Sequence, residues 1–360
     1  MKVLMITPYM KPIMGGISTY LDGLSRELRV QNAACAVIAE KGESTPGSSR
    51  TDRSLIRFLA EGILAALRFR PSVIHIHSNW RGFLVALAYR RLFRHTALFF
   101  TFHTDSISPL SGVKKTVFER MLSKCDALIF TSSHLRFETE ASLSIKAKSK
   151  VIYAGVSKMP TDNGQVQRFR ETHSLDGKFP VLLYMTPFVW EEKVSSIETL
   201  GEALRRLENK ELKPILVVLG EGPLRGRVKE RISKLDLDDV VVLAGRVDDP
   251  WTALATCDIY THISQKESLS MAILEAMSVG KPVIATDVGG TPEILSKEGV
   301  GVLVSPDLAD IETSILTLSS NPEEMKAMGA RAREWVEANF TWKKSAEDHL
   351  KLYKEALGET

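Results

Sequence analysis

The sequence predicts an α/β protein built from two doubly wound domains. Twelve short apolar runs, most of them rich in Val and Ile, alternate along the chain with stretches of helical periodicity. Continuous apolar runs of this length are typical of strands buried on both faces of a parallel sheet, and regular alternation of strand and helix favours doubly wound layers. The runs form two sets of six, and 360 residues suffice for two domains of ordinary size.

Each element follows from its local pattern. The first set of strands is predicted at Val3–Thr7, Ala36–Ile38, Val73–His77, Leu98–Phe102, Ala127–Thr131 and Val151–Tyr153. The second set is predicted at Val181–Met185, Ile215–Leu219, Val240–Ala244, Ile259–His262, Val283–Thr286 and Gly301–Val304. Helical periodicity fills most gaps, as at Leu55–Phe69, Gly82–Phe93 and Ser195–Leu207, and predicts a last amphipathic helix at Thr341–Leu357. A polar stretch at Ser157–Phe169, with Pro160 and the turn pair Asn163-Gly164, separates the two sets.

Composition excludes several classes of protein. Hydrophobic residues make up 44% and charged residues 25% of the chain, as in ordinary soluble globular proteins. No apolar run approaches the roughly 18 residues of a membrane span, and the run after Lys2 is too short for a secretory signal. Cys35, Cys125 and Cys257 lie far apart and fit neither a metal site nor a disulfide framework. We therefore expect a cytoplasmic protein with reduced thiols.

Charge is distributed unevenly between the halves. Residues 1–180 carry 26 Lys and Arg against 14 Asp and Glu, a net charge of +12, and residues 181–360 carry 21 against 30, a net charge of −9. This asymmetry indicates either an anionic partner of the first half or two domains that attract each other. Basic residues interleave there with apolar ones: Arg68, Arg70, Arg81, Arg90, Arg91 and Arg94 with Phe69, Phe83, Leu92 and Phe93. A basic amphipathic stretch can lie on an anionic membrane surface, whereas no motif supports nucleic-acid binding.

Two glycine motifs follow predicted strands. Gly15-Gly16 precedes a helix expected to start near Ser18, and such a turn can present backbone N–H groups to a phosphate or be a plain tight turn. Gly220, Gly222 and Gly226 have the spacing G-x-G-x-x-x-G, which misses the dinucleotide fingerprint, so NAD binding is not expected.

Two glutamates stand eight residues apart after the strand Ile259–His262. Glu267 is expected at the entrance of a helix that begins near Leu269, where backbone donors of Ser270 and Met271 are open to a phosphate. Glu275 should then lie about two turns on, within some 80° of the same face. Carboxylates accept well from vicinal sugar hydroxyls, although a helix-dipole acid and a solvated acid would give the same pattern.

Histidines end two other predicted strands. His103 follows a buried strand, with Asp105 two residues on, and is a candidate site group or a satisfied surface histidine. His75 and His77 alternate toward one face of their strand, but the sequence offers no convincing further ligands for a metal. Asp248-Asp249 is interpreted as a solvated pair.

In combination, these motifs resemble the retaining glycosyltransferases of family 4, which have the GT-B fold of two Rossmann-like domains facing a central cleft. The resemblance covers nearly the whole chain. It rests on Met1–Pro8 with Gly15-Gly16, on Leu219-Gly220-Glu221-Gly222-Pro223, on Glu267 and Glu275 with Gly280-Lys281-Pro282, on Gly289–Glu293, and on Phe340-Thr341-Trp342.

The resemblance implies a role for each candidate residue. Residues 1–158 would bind the acceptor, residues 159–340 would bind the nucleotide-sugar donor, and the helix 341–360 would pack back on the first domain. Glu275 would accept from the ribose hydroxyls, and Glu267 would hold hydroxyls of the transferred sugar. The remaining assignments are His103 to orientation of the sugar, Lys193 to the leaving diphosphate, Gly15, Gly16, Ser270 and Met271 to the diphosphate, and Gly245, Arg246 and Val247 to the base.

The implied reaction is transfer of a hexose from a nucleoside diphosphate sugar, with UDP the first choice of base and GDP the second, and with no tightly bound metal. The acceptor would belong to glycan, lipopolysaccharide or glycolipid synthesis. The basic amphipathic stretch favours a lipid-linked acceptor and an enzyme peripheral on the inner face of the membrane, although solvated helix ends with their apolar residues in the core would give the same pattern. Two departures stand against the family pattern: Pro187 replaces an arginine, and Ser268-Leu269-Ser270 replaces Gly-Phe-Gly. They keep two alternatives open, a partner-dependent or non-catalytic homologue and a nucleotide-sugar epimerase of the same fold.

Overall fold

The computed structural model describes residues 1–10, 15–42, 54–104, 111–157, 161–208, 212–247 and 250–359. The chain divides into two compact units. The N-terminal unit consists of Met1–Gly155 together with Phe340–Thr360, and the C-terminal unit consists of Val156–Asn339.

The N-terminal unit contains a six-stranded parallel sheet in the order β2-β1-β3-β4-β5-β6. Its strands are β1 (Lys2–Tyr9), β2 (Ala34–Lys41), β3 (Val73–His77), β4 (Ala97–Phe102), β5 (Ala127–Phe130) and β6 (Lys148–Val151). Its helices are α1 (Gly16–Val30), α2 (Leu55–Phe69), α3 (Gly82–Leu92), α4 (Gly112–Leu122), α5 (Ser133–Ser142) and α14 (Trp342–Leu357). Every residue of β3, β4 and β5 is buried, as continuous apolar runs predict.

The C-terminal unit contains a second six-stranded parallel sheet, in the order β12-β11-β10-β7-β8-β9. Its strands are β7 (Val181–Met185), β8 (Ile215–Leu219), β9 (Val241–Gly245), β10 (Ile259–His262), β11 (Val283–Thr286) and β12 (Val302–Val304). Its helices are α6 (Asn163–Thr172), α7 (Glu191–Glu208), α8 (Arg225–Lys234), α9 (Pro250–Thr256), α10 (Met271–Ser278), α11 (Thr291–Ile294), α12 (Leu308–Ser319) and α13 (Pro322–Asn339). The prediction of two doubly wound sheets with alternating helices is confirmed.

Three element predictions need correction. The predicted break at Ser157–Phe169 is too long, because Asp162 caps α6 by accepting from the Gly164 N–H, and Asn163-Gly164 opens a helix instead of a turn. The edge strand β6 lies three residues before its predicted start, in the half-exposed run Lys148–Val151. An edge strand exposes one side, so apolar continuity is a poor guide to its position.

The last helix, α14, packs on the N-terminal unit. Trp342 lies so close to Gly23 of α1 that a Cβ there would come within 2.1 Å of the indole, and a Cβ at Gly155 would come within 2.0 Å of the Trp342 nitrogen. Lys148 pairs with Glu355 at 2.7 Å and Lys150 with Asp348 at 3.2 Å. The helix therefore belongs to the core of a unit whose other elements lie some 200 residues earlier in sequence.

None of the helices in the described ranges combines the length and the apolar character that crossing a bilayer requires.

Candidate active site

The loop between β10 and α10 carries the first glutamate of the pair at the carboxyl edge of the C-terminal sheet. Thr286, the last residue of the neighbouring strand β11, holds this loop by hydrogen bonds to both backbone groups of one residue, Ser264. Its hydroxyl accepts from the Ser264 N–H at 3.0 Å and donates to the Ser264 carbonyl at 2.7 Å. Tyr184 of β7, fully buried, donates to the Ile263 carbonyl at 2.9 Å. The loop is therefore anchored to both strands that flank β10.

The turn after β11 supports the backbone of Glu267 directly. Gly290 donates its N–H to the Glu267 carbonyl at 3.2 Å. Gly289 has φ +58°, and a Cβ there would lie 1.6 Å from the same carbonyl oxygen. Only glycine combines this left-handed backbone with so close an approach. The Gly289-Gly290 pair thus positions Glu267.

The Glu267 carboxylate is held in its ionised form. Burial alone would raise its pKa, but a hydrogen bond to His262, the electrostatic effect of that ring and the positive charge of Lys193 lower the pKa below its usual value. The Oε2 atom lies 2.8 Å from His262 Nε2. Glu267 is therefore an acceptor for hydroxyl groups at neutral pH.

Lys193, in the first turn of α7, brings a buried cation to the same loop. Its Nζ donates to Ser264 Oγ at 2.7 Å, and the residue is 8% exposed. Burial lowers the pKa of its ammonium, while Glu267 and Glu192 oppose that shift. A buried ammonium at the loop that leads into α10 is suited to stabilising the negative charge of a leaving diphosphate.

The start of α10 offers open backbone donors. The helix begins at Met271, two residues later than the predicted start, and Ser270 caps it by accepting from the Ile273 N–H at 3.3 Å. Among the described residues, none accepts from the N–H groups of Met271 or Ala272. Such a helix start favours an anion through its open donors and its dipole.

Glu275 lies in α10, and its carboxylate makes no hydrogen bond or ion pair with any described residue. Burial raises its pKa to about 7. Because Glu267 lies in the loop before the helix, the predicted placement of both glutamates on one helical face is wrong. The loop anchors fix the position of Glu267, whereas Glu275 is placed by the helix.

The segment expected at the base ends β9. Gly245 has φ +75°, and a Cβ there would lie 3.1 Å from Glu221 Oε1. Arg246 is exposed and Val247 is partly buried. Gly220, directly after β8, lies between β9 and the residue that follows β7. Its N–H donates to the Gly245 carbonyl at 2.9 Å, and a Cβ there would lie 1.9 Å from the Thr186 carbonyl.

Pro187 is exposed at the end of β7, where the family pattern has an arginine. The nearby arginines Arg225 and Arg227 are bound to carboxylates, at 2.7 Å to Glu221 and 2.6 Å to Glu191. Both pairs are about half exposed, so either arginine could be released at small cost.

In the N-terminal unit, His103 follows β4 and is only 9% exposed. Its Nε2 lies 3.1 Å from His77 Nδ1, and the Tyr20 ring packs edge-on at 4.6 Å between centroids. Burial and the nearby His349 lower the pKa of His103 to about 3. His103 is therefore neutral at physiological pH and can orient a ligand by hydrogen bonding, but it supplies no positive charge.

Gly15 and Gly16 begin α1, two residues before the predicted start at Ser18. Both glycines are exposed, and a Cβ on Gly16 would meet nothing within 4 Å. Ser18 Oγ accepts from the Gly15 N–H at 2.9 Å. The start of α1 is thus open to a ligand on the Gly16 side.

The basic residues of the N-terminal unit separate into two places. Arg81 binds Glu40 at the start of α3, and Arg90 donates to the Lys124 carbonyl at 2.7 Å. The remaining basic residues named above lie next to the starts of β1, β3 and β4. These starts share one edge of the sheet, because Val3 pairs with Val73 and Val73 pairs with Ala97. We call this surface the amino-edge patch; it comprises Lys2, Arg68, Arg70, Arg91, Leu92, Phe93 and Arg94, all mostly or partly exposed.

No group of three His, Cys, Asp or Glu residues in the described ranges is arranged to hold a metal ion. Asp105 and the pair Asp248-Asp249 lie outside the described residues.

Family models match both units. The model for Glycosyltransferase Family 4 matches residues 14–158, and the model for Glycosyl transferases group 1 matches residues 165–335. The chain is a family 4 glycosyltransferase of the GT-B fold. As a member of this family, it is a transferase enzyme.

Relatives of this glycosyltransferase act on different sugars. It is 23% identical over 310 residues to N-acetyl-alpha-D-glucosaminyl L-malate synthase of Bacillus anthracis, covering 85% of this chain and 80% of the relative. It is 24% identical over 369 residues to GDP-mannose-dependent alpha-(1-6)-phosphatidylinositol monomannoside mannosyltransferase of Mycobacterium tuberculosis, covering 95% of each chain.

A solved structure shares the fold over the whole length. The structure of Anabaena Alr3699/HepE in complex with UDP-glucose superposes with a TM-score of 0.79 at 18% identity, covering 100% of both chains. At this identity, the likeness shows the fold of the glycosyltransferase alone.

Sequence reasoning missed the groups that hold the site together. His262, Thr286 and Tyr184 were assigned only to buried strands, yet each bonds the Glu267 loop. A polar residue at the carboxyl end of a strand in an α/β sheet was the signal that could have identified His262 and Thr286.

Proposed function

We propose that this glycosyltransferase moves a hexose from a nucleoside diphosphate sugar to an acceptor, with retention at the anomeric carbon. One arrangement carries the proposal: an ionised Glu267 and a buried Lys193 ammonium meet at the loop that leads into the open backbone donors of α10, and Glu275 of that helix has a carboxylate without a partner in the described ranges. These groups match the sugar hydroxyls, the diphosphate and the ribose of one donor molecule.

Glu275 is the proposed ribose ligand. A carboxylate that has no partner in the described part of the chain, in surroundings that disfavour its charge, gains most from two hydroxyl donors. Bidentate contact with the vicinal ribose hydroxyls would compensate for the burial that raises its pKa to about 7.

The diphosphate is assigned to the N–H groups of Ser270 and Met271 at the start of α10 and to Lys193, with Gly15 and Gly16 as further donors from α1. Helix starts and a buried ammonium stabilise the negative charge that develops as the sugar leaves. Gly245, Arg246 and Val247 would border the base.

Glu267 and His103 are the proposed sugar ligands. Glu267 accepts from hydroxyls of the transferred hexose, and the neutral His103 ring orients it by hydrogen bonding. We assign no protein nucleophile, because the low pKa of Glu267 and its contact with His262 suit this carboxylate to accepting hydrogen bonds from sugar hydroxyls. Retention is tested by NMR: a product with the opposite anomeric configuration to the donor would refute it.

The nucleotide of the donor is proposed to be UDP, with GDP as the second choice. The Anabaena structure of the same fold holds UDP-glucose, and a mycobacterial relative is named for GDP-mannose. A thermal-shift panel of UDP, GDP, ADP, NAD and their sugar conjugates tests this, since a ligand at 100 times its Kd adds about 2.7 kcal/mol of stability. A shift with one nucleotide names the base, and a shift with NAD would contradict the proposal.

Pro187 favours one alternative, a homologue that needs a partner protein or does not catalyse. Loss of a charge-assisted hydrogen bond costs about 1.5–3 kcal/mol, unless Arg225 or Arg227 leaves its carboxylate partner and replaces the missing arginine. Absence of any shift across the panel would support this alternative over the enzyme acting alone.

We also propose a lipid-linked acceptor and contact of the amino-edge patch with an anionic membrane. Five basic side chains lie at the same edge of the sheet as Leu92 and Phe93, which are 70% and 40% exposed. Each basic residue near an anionic surface contributes about 1 kcal/mol of binding, and exposed apolar side chains add to it.

Flotation with vesicles of anionic and neutral lipid tests the membrane proposal. Salt-sensitive binding to anionic vesicles is expected, and Arg91→Glu with Arg94→Glu should abolish it. The matched control is Lys229→Glu with Lys326→Glu, two exposed lysines of the C-terminal unit. Equal loss in both double variants would show that net charge, and not the amino-edge patch, governs binding.

A further inference from the structure

His262 ends β10 with its ring directed at the carboxylate of Glu267. The residue is 5% exposed, and its Nε2 lies 2.8 Å from Glu267 Oε2. On its other side, Nδ1 lies 3.4 Å from the hydroxyl of Tyr260, which is fully buried. The ring therefore connects the core of the sheet to the proposed sugar site.

The three groups fix the direction of each hydrogen bond. An ionised carboxylate only accepts, so Nε2 carries a proton and donates it to Glu267. On the other side of the ring, the Tyr260 hydroxyl can donate to Nδ1 across 3.4 Å when Nδ1 carries the lone pair. Both ring nitrogens of His262 then have a partner.

The contact restricts the carboxylate before a sugar arrives. Oε2 is engaged by His262, and the Ser268 backbone N–H also interacts with the carboxylate. The backbone of Glu267 is fixed as well, by Gly290. A side chain with both ends held loses little rotational freedom on binding, and such preorganisation strengthens recognition.

We infer that His262 is a positioning residue that orients Glu267 toward the hydroxyls of the transferred sugar. This inference rests on the proposed function, because it concerns the sugar end of the proposed donor site. It assigns to His262 a share in affinity for the sugar and in the transfer step, and none in affinity for the nucleotide. A histidine that merely filled the core would affect both ends through the fold.

The test compares His262→Leu, which removes the donor, with His262→Gln, which can place an amide N–H near the position of Nε2. Calorimetry gives Kd for UDP and for the UDP-sugar that shifts the wild type most, or for the GDP pair if GDP shifts it. For His262→Leu we expect an unchanged nucleotide Kd, a nucleotide-sugar Kd raised about tenfold to a hundredfold, and a kcat lowered by a similar factor. His262→Gln should restore most of both.

Tyr260→Phe is a graded control. It removes the hydroxyl on Nδ1 and leaves the ring contact with Glu267, so a two- to fivefold effect confined to the nucleotide-sugar is expected. In ¹⁵N-histidine spectra of the wild type, His262 should show the Nε2–H tautomer without any ligand. An Nδ1–H tautomer would overturn the inference.

The outcomes separate the inference from the proposed function. Equal weakening of nucleotide and nucleotide-sugar in His262→Leu, or no weakening of either, overturns the positioning role while the donor site stands. A wild type that binds neither a nucleotide nor a nucleotide-sugar overturns the donor site itself, and the positioning role with it.

Discussion

Glu267 and Glu275 stand at the two ends of one short motif, and their surroundings drive their ionisation in opposite directions. Glu267 has His262 at 2.8 Å and the charge of Lys193 nearby, and its pKa falls below the usual value despite burial. Glu275 has no described partner, and burial raises its pKa to about 7. Partners, and not depth, therefore decide which carboxylate is charged before a ligand binds.

The difference implies different roles for two identical side chains. The Glu267 carboxylate is already oriented and charged, so it is suited to a step that needs fixed geometry. The Glu275 carboxylate becomes fully charged only when donors reach it, so its ionisation is coupled to ligand binding.

Glu267→Gln should produce the largest effect. The amide cannot replace a fixed anion at the sugar, so we expect kcat to fall by about a thousandfold, in the range seen for removal of a key electrostatic group. The nucleotide Kd should change by less than about threefold. Initial-rate and binding measurements on one preparation check this, and unchanged turnover would refute the assignment of Glu267.

Glu275→Gln should affect the opposite quantity. Loss of a charged acceptor for two hydroxyls should raise the nucleotide Kd about tenfold to a hundredfold. At saturating donor, kcat should stay within about threefold of the wild type. If kcat falls and Kd does not, the two roles have been assigned the wrong way round.

The pH dependence of nucleotide binding sharpens the contrast. Binding requires the ionised Glu275 carboxylate, whose pKa without ligand is about 7, so affinity should rise about tenfold from pH 6 to pH 8. Glu275→Gln should flatten this profile and His262→Gln should not. Calorimetry at both pH values measures the nucleotide Kd. The change in Kd of Glu275→Gln gives the contribution from titration of the ligand itself, which is subtracted from the change in the wild type.

A separate effect concerns stability without ligand. A carboxyl group whose pKa is raised in the folded state contributes stability below pH 4.5, its ordinary value, and loses it as the pH rises toward 7. Glu275→Gln should thus be more stable than the wild type at pH 8, by about 3 kcal/mol, with the gap closing near pH 4.5. Urea unfolding at the two pH values measures the gap, and a constant gap would exclude titration of Glu275 as its cause.

Apolar patterning predicted the strands well because a buried strand consists of a local run of apolar residues, which is visible in the sequence without knowledge of its neighbours. All six strands of each sheet lie where runs such as Val73–His77 and Val283–Thr286 place them, except at the edge strand β6. The two glutamates and Lys193 were also predictable, since their motif is local in sequence.

The supports of the site were not predictable in the same way. The contact of Gly290 with Glu267 joins residues 23 apart, and the contact of His77 with His103 joins residues 26 apart. Both depend on which strands become neighbours and on the register between them. A single sequence gives the carboxyl ends of strands as the place to look, but not which side chains meet there.

The docking of α14 has a consequence for synthesis. Translation delivers the C-terminal unit, Val156–Asn339, as one uninterrupted segment, whereas the N-terminal unit lacks its closing helix until Trp342–Leu357 has followed that segment out of the ribosome. Until then, the surface beside Gly23 and Gly155 that receives Trp342 stays open to water and to other chains. The half that is made first is thus completed last, and a chaperone that shields this surface would act on the nascent chain between those two moments.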